Sequence, residues 1–96
     1  MELPKTVDIM GLIYKVEEVD IVNKFTPRNG EIDFQSQIIK IDKGLTEDRK
    51  AVVLIHEVLH GELEALGLSE ISDNENMVQS LAIALYHTIK HLIISS

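Results

Sequence analysis

The sequence predicts an α+β fold, in which a small, mostly antiparallel sheet packs on two helices. Two observations lead to this prediction. β-branched and aromatic residues with strand-like spacing fill the first half of the chain, and apolar residues with helical spacing fill the second half. Strands followed by helices, with no repeat and no low-complexity linker between them, are typical of one α+β domain, which we expect to span residues 1–96.

The strands are expected between about residues 6 and 42. Residues 6–22 mix β-branched and aromatic side chains with polar ones, and the break at Gly11 divides this stretch into two short strands. Residues 31–42 resume the same composition. Because the turn-forming sequence Pro27-Arg28-Asn29-Gly30 comes before them, the sequence predicts a hairpin around Asn29-Gly30.

The first helix is expected from about residue 46 to residue 66. Thr46 is a suitable N-cap, and the acidic residues that follow it suit the positive end of the helix dipole. Gly67 can take the left-handed conformation that ends many helices. Apolar residues surround most of the first half of this helix, in the run Ala51-Val52-Val53-Leu54-Ile55. We therefore expect a buried helix that carries its polar side chains into the domain.

The second helix is expected from about residue 73 to residue 93. Ser72 and Glu75 have the spacing of a capping box at its start. Its core face is predicted from the apolar residues that recur at helical spacing, which are Val78, Ala82, Leu85, Ile89 and Ile93. On a helical projection Glu75 lies within this face, whereas His87 and His91 lie on the opposite side. The helix is thus expected to direct the Glu75 carboxylate inward.

The composition limits the classes of function. With 9 basic and 16 acidic side chains the net charge is −7, so the chain repels phosphate backbones and we expect no direct binding of nucleic acid. Cysteine is absent, which excludes disulfides and thiolate metal ligands. The sequence shows neither an apolar run of membrane-spanning length nor the start of a signal peptide, so we expect a cytoplasmic protein with no membrane partner.

The motif His56-Glu57-Val58-Leu59-His60 is the main candidate for a functional site. Residues four apart on a helix lie one above the other, so both imidazoles can bind one metal ion. With no cysteine available, Zn²⁺ would be held by histidine and carboxylate, and zinc hydrolases use three such ligands while leaving the fourth position to water. Glu57 lies beside the ion and is the candidate catalytic base.

Glu75 is the candidate third ligand, because it starts the second helix and faces the core. A turn that contains Gly67 separates it from His60 and can bring two antiparallel helices together. Asp73 is the alternative ligand, since a small shift of the helix boundary would exchange the two. Glu64 is less suitable, because three ligands along one helix rarely surround an ion tetrahedrally.

Three further side chains each have two interpretations. His87 and His91 are four residues apart and can bind a metal of their own, although polar surface is the simpler explanation. Tyr86 can donate a hydrogen bond to a developing oxyanion, or it can be an aromatic residue at the boundary of the core.

The motif and its surroundings resemble a zincin metallopeptidase of the ImmA/IrrE kind, in particular the short stand-alone versions carried by phages and mobile elements. The resemblance covers about residues 30–85 and rests mainly on residues 49–61 and 75–82. It implies that His56, His60 and Glu75 bind zinc and that Glu57 acts catalytically. It also implies a protein or peptide substrate, such as a regulator of a mobile element, and a regulatory protein partner.

The expected function is therefore zinc-dependent hydrolysis of a peptide bond in a cytosolic protein, with an extended substrate bound along the edge of the sheet. The alternative is a non-catalytic binding or regulatory module of the same fold. Retention of Glu57 argues against that alternative, because such a module needs no base. A structural metal site closed by four protein ligands is a third hypothesis, which requires Asp73 or Glu64 as the additional ligand.

Overall fold

The computed structural model describes residues 2–95 and contains four strands and three helices. The strands are β1 (Thr6–Ile9), β2 (Leu12–Val19), β3 (Gly30–Asp33) and β4 (Ile38–Asp42). The helices are α1 (Glu47–Ala65), α2 (Ser69–Ser72) and α3 (Glu75–Ser95). The predicted α+β class with a mostly antiparallel sheet is confirmed, and the short helix α2 is an element that the sequence did not predict. Met1 and Ser96, the ends of the predicted domain, lie outside the described residues.

The four strands form one sheet in the order β1-β2-β4-β3. The β1–β2 and β3–β4 pairs are antiparallel, and β2 and β4 pair in parallel. The hairpin predicted around Asn29-Gly30 is wrong, because Gly30 begins β3 and residues 20–29 carry the chain from β2 to the far edge of the sheet. The second hairpin turns at residues 34–37 instead, where the Asp33 carboxylate accepts hydrogen bonds from the backbone N–H groups of Gln35 and Ser36.

Helix α1 covers one face of the sheet and forms the core with it. The buried core side chains are Ile9, Tyr14, Ile39, Ile41 and Leu54. Gly61 is a point of close approach, since a Cβ atom there would lie 2.8 Å from Cδ1 of Ile9 and 3.1 Å from Cδ1 of Ile32. This close packing fixes α1, and with it the H-E-x-x-H motif, against the sheet.

Both predicted ends of α1 are confirmed. The Thr46 hydroxyl accepts a hydrogen bond from the backbone N–H of Arg49 at 3.3 Å. At the other end Gly67 has a φ of 75°, and the backbone N–H of Leu68 donates to the carbonyl of Leu63 at 2.8 Å. This is a Schellman motif, in which the chain reverses immediately after the helix. The reversal places α2 and α3 next to α1.

Helix α3 begins differently from the prediction. The side-chain oxygen of Asn74 accepts a hydrogen bond from the backbone N–H of Met77 at 3.1 Å, so Asn74 caps the helix. The predicted capping box of Ser72 and Glu75 is wrong, because Ser72 is the last residue of α2 and Asn74 takes the capping position of α3. Glu75 is consequently the first residue of α3, and its side chain is not used as a cap.

Within residues 2–95, helix α3 packs on α1 and α2 and contacts no strand, so the layers are sheet, α1 and α3. Its buried residues are Val78, Ala82 and Tyr86. The other three residues predicted for its core face are exposed, namely Leu85, Ile89 and Ile93. The buried face is therefore rotated toward Tyr86 relative to the predicted one.

Candidate metal centre

The three predicted ligands come together where α1 faces the start of α3. Nε2 of His56 and Nε2 of His60 each lie 3.0 Å from an oxygen of the Glu75 carboxylate. The two Nε2 atoms are 3.1 Å apart. Ligand atoms about 2.0 Å from a tetrahedral zinc ion are separated from one another by about 3.3 Å. His56, His60 and Glu75 thus have nearly the spacing that one zinc ion requires.

Two polar side chains orient the imidazoles from outside this cluster. Nδ1 of His56 lies 2.7 Å from Oε1 of Gln79, and Nδ1 of His60 lies 2.9 Å from the hydroxyl oxygen of Ser72. The Gln79 oxygen can only accept, so His56 carries its proton on Nδ1 and directs the lone pair of Nε2 toward Glu75. Metal-binding histidines are held in this way by a second hydrogen bond. Gln79 and Ser72 therefore complete a site suited to a cation.

The chemistry of the cluster also fits a cation. In the neutral tautomer with the proton on Nδ1, which the bond to Gln79 favours for His56 and the Ser72 hydroxyl allows for His60, two Nε2 lone pairs and a carboxylate face one another at about 3 Å. These acceptors repel one another unless a positive charge lies among them. A divalent metal ion would satisfy all three ligands, His56, His60 and Glu75, at once.

The competing carboxylates do not join the cluster. Asp73 is exposed and ends α2, and Glu64 is exposed and accepts a hydrogen bond from Ser69 at 3.4 Å. Among residues 2–95, the His, Asp and Glu side chains that could share one ion here are His56, His60 and Glu75. No fourth His, Asp or Glu among these residues would complete the coordination of such an ion.

Glu57 is buried beside the cluster, with 8% of its surface exposed. Burial raises its pKa to about 7, while the neighbouring His56 lowers the pKa and the negative charge of Glu75 raises it. A divalent cation bound to His56 and Glu75 would lower it again, because positive charge favours the carboxylate form. A glutamate in this environment can accept a proton and return it near neutral pH.

The edge strand β3 begins directly against this glutamate. A Cβ atom on Gly30 would lie 3.3 Å from Oε2 of Glu57 and only 2.4 Å from Cγ1 of Val53. No side chain larger than that of glycine fits between β3 and α1 without displacement. The close approach places the backbone of the edge strand next to the candidate base.

The cluster lies in a cleft of about 1050 Å³. Residues 26–32 form one wall, α1 forms the floor and α3 forms the other wall. Because β3 is the last strand of the sheet, its outer edge pairs with no strand among residues 2–95. The cleft therefore combines the candidate metal ligands with an unpaired strand edge.

Tyr86 and His87 also line the cleft. The hydroxyl of Tyr86 donates a hydrogen bond to Asp48, which raises the pKa of Tyr86 and lowers that of Asp48. Tyr86 is 4% exposed, so it is a buried aromatic residue whose proton is already engaged. The prediction that His87 lies opposite the site is wrong, because the inward face of α3 is centred nearer Tyr86 than the apolar pattern indicated.

Comparison of the chain with family models, with curated proteins and with solved structures gave no match. Among residues 2–95, no helix has the length and apolar character needed to cross a membrane. The geometry of the fold and the site therefore defines the class of protein. It is an α+β domain in which the H-E-x-x-H motif on one helix faces a carboxylate from another helix. His56, His60 and Glu75 form the cluster, and Glu57 lies beside it.

Proposed function

We propose that the protein is a zinc-dependent metallopeptidase that hydrolyses a peptide bond in a protein or peptide substrate. The observation that carries the proposal is the convergence of His56, His60 and Glu75 within about 3 Å of one another, with the buried Glu57 beside them. Two histidines and one glutamate with an open fourth position are the ligands of hydrolytic zinc sites, whereas four protein ligands are typical of structural ones.

The residues have distinct roles in this proposal. When bound, zinc supplies a Lewis acid that polarises the substrate carbonyl and makes a water molecule acidic near neutral pH. Gln79 and Ser72 hold the imidazoles of His56 and His60 in the orientation that directs both Nε2 atoms at the ion. Glu57 accepts the proton of the attacking water and transfers it to the leaving amine.

The unpaired edge of β3 supports an extended peptide as the substrate. Extended peptides bind such edges by adding a strand, with main-chain hydrogen bonds giving affinity. Gly30, Glu31 and Ile32 line the cleft, so a peptide bound to this edge would pass beside Glu57. The resemblance to ImmA/IrrE-type zincins supports a cytoplasmic regulator of a mobile element as the substrate, recognised with the help of a partner protein.

Replacing the base separates chemistry from metal binding. We expect Glu57→Gln to retain about one zinc ion per chain and to lower the cleavage rate of an unfolded protein substrate by roughly 10²–10⁴-fold, the contribution of a positioned general base. Zinc is measured by elemental analysis and cleavage by mass spectrometry. Glu62→Gln is the matched control, since Glu62 lies on α1 but outside the cleft and should leave both quantities unchanged.

Two outcomes would contradict the proposal. Equal cleavage by Glu57→Gln and the unchanged protein would favour the non-catalytic binding module. X-ray absorption that finds four protein ligands on the zinc would favour a structural site, because no position would remain for water.

A further inference from the structure

Among residues 2–95, three Lys and Arg side chains line the cleft, of which two form ion pairs with acidic side chains and one does not. Arg28 is paired with Glu31 at 3.5 Å, and Lys90 with Asp48 at 3.4 Å. Arg49 also lines the cleft, but its guanidinium makes no ion pair or hydrogen bond with a side chain among residues 2–95. This is unexpected in a chain with a net charge of −7, in which acidic partners are abundant.

Arg49 shares the face of α1 that carries the metal ligands. It precedes His56 by seven residues, which is almost two helical turns, so both side chains leave the same side of α1 about 10 Å apart along its axis. Val52 and Val53 lie between them and form an apolar floor. The candidate metal site and Arg49 are therefore two ends of one groove.

The acids beside Arg49 are already paired with other cations. Glu47 is paired with Lys50 at 3.7 Å, and the Asp48 carboxylate accepts hydrogen bonds from Tyr86 and Lys90, which hold the pKa of Asp48 below its usual range. Its negative charge is thus already compensated. The N-terminus of α1, which carries the positive end of the helix dipole, lies at the same place.

We propose that Arg49 forms a subsite that binds a carboxylate of the substrate. This inference rests on the proposed peptidase function. Guanidinium binds carboxylate through two parallel hydrogen bonds, and the apolar floor suits the stem of the residue that bears the acid. An extended peptide advances about 3.3 Å per residue, so a distance of about 10 Å places the acidic group roughly three residues from the cleaved bond.

The direction of β3 indicates whether the acidic group of the substrate lies on the N-terminal or the C-terminal side of the cleaved bond. Gly30 at the start of β3 faces Val53, and Ile32 further along faces Gly61, so β3 and α1 advance in the same direction. A peptide that adds to β3 in the antiparallel direction runs toward Arg49. The acidic group is then on the C-terminal side of the cleaved bond.

Binding to the zinc-loaded Glu57→Gln protein tests the subsite without cleavage. The probes are a short peptide with one glutamate and an amidated C-terminus, a peptide with a free C-terminal carboxylate only, and a neutral peptide with glutamine and an amidated C-terminus. We expect one of the two acidic peptides to bind at least about tenfold more tightly than the neutral one, as measured by fluorescence anisotropy. Which of the two binds more tightly shows whether the carboxylate comes from a side chain or from the C-terminus of the substrate.

Substitution of Arg49 then tests whether this residue causes the preference for the acidic peptide. Arg49→Gln should remove most of the difference in affinity between the acidic and the neutral peptide, and Arg49→Lys should keep part of it. The control is Lys15→Gln, which removes one positive charge from an exposed position outside the cleft and should leave the difference unchanged. Equal binding of all three peptides would overturn the inference. So would a preference that survives Arg49→Gln, because the carboxylate would then be bound by the metal itself.

The two proposals fail separately. If the acidic peptide binds through Arg49 but the zinc-loaded protein with intact Glu57 cleaves none of the peptides, the subsite stands and the peptidase function fails. If the protein cleaves all three peptides at equal rates, the peptidase function stands and the subsite fails.

Discussion

At the scale of single residues, the outer nitrogen of each imidazole determines what the inner nitrogen can bind. His56 donates from Nδ1 to Gln79, and His60 has the Ser72 hydroxyl in the same position. Each partner holds the ring orientation, and the Gln79 oxygen, which can only accept, also favours the Nδ1–H tautomer of His56, so both partners would add to metal affinity without touching the metal. The two partners lie on different helices, which ties the site to the packing of α2 and α3 against α1.

A series of zinc affinities tests these roles. Gln79→Ala should weaken zinc binding by roughly 10–100-fold, the usual effect of losing an orienting partner. Glu75→Ala removes a ligand and should weaken binding further. Asp73→Ala and Ser80→Ala are controls outside the cluster and should bind like the unchanged chain. Competition with a chromophoric chelator gives the affinities. If Asp73→Ala lost more affinity than Glu75→Ala, the third ligand would be Asp73.

The residues of the site differ in how far the sequence could predict them. His56, Glu57 and His60 follow from spacing along one helix, which is a local property. Glu75 was predicted from an inward position on α3, but its side chain is 68% exposed at the mouth of the cleft and its predicted capping bond does not form. Gln79 was missed, yet it lies four residues after Glu75 on the same face, and that spacing is a signal that could have identified it.

At the scale of elements, the contact between β3 and α1 sets the position of the candidate base. Gly30 has an ordinary backbone conformation, since the glycines with positive φ are Gly11 and Gly67. The requirement for glycine at this position is therefore steric. Val53 and Glu57 occupy the space that a Cβ atom on Gly30 would need.

Gly30→Ala is expected to destabilise the fold and to slow cleavage. Overpacking of a close contact costs about 1–3 kcal/mol, and relief of the contact with Val53 requires β3 and α1 to move apart beside Glu57. Urea unfolding of the zinc-loaded protein measures the stability. In a chain that also carries Val53→Ala, the same glycine substitution should cost less. An equal cost in both chains would show that Val53 is not the obstacle.

The elements that the sequence predicted well are those defined by local signals. The ends of α1 depend on Thr46 and Gly67, and both act within one turn of the chain. The second hairpin was not predicted, because Asp33 turns the chain through its own side chain without the glycine or proline that usually indicates a turn. The buried face of α3 depends on which element it packs against, and a pattern of apolar residues does not contain that information.

At the scale of the whole molecule, α3 is attached on one side only. It packs against α1 and α2 but not against the sheet, and its exposed flank includes Met77, Leu81, Leu85 and Leu92. A helix that buries one face has fewer contacts to stabilise it than α1, which packs on both the sheet and α3. A metal bound between α1 and α3 would add one more link that holds α3 on α1.

Zinc is therefore expected to raise the thermal stability of the whole chain. A ligand present at 1,000 times its Kd stabilises the folded state by about 4 kcal/mol, and in a domain of this size each kcal/mol shifts Tm by roughly 4–8 °C. Zinc should thus raise Tm by more than about 10 °C, and a chelator should reverse the rise; scanning calorimetry measures both. His60→Ala is the control, because it removes a ligand while leaving the packing of α1 on the sheet in place, and its Tm should hardly respond to zinc. A zinc effect of equal size in His60→Ala would place the stabilising ion elsewhere and would contradict a site shared by α1 and α3.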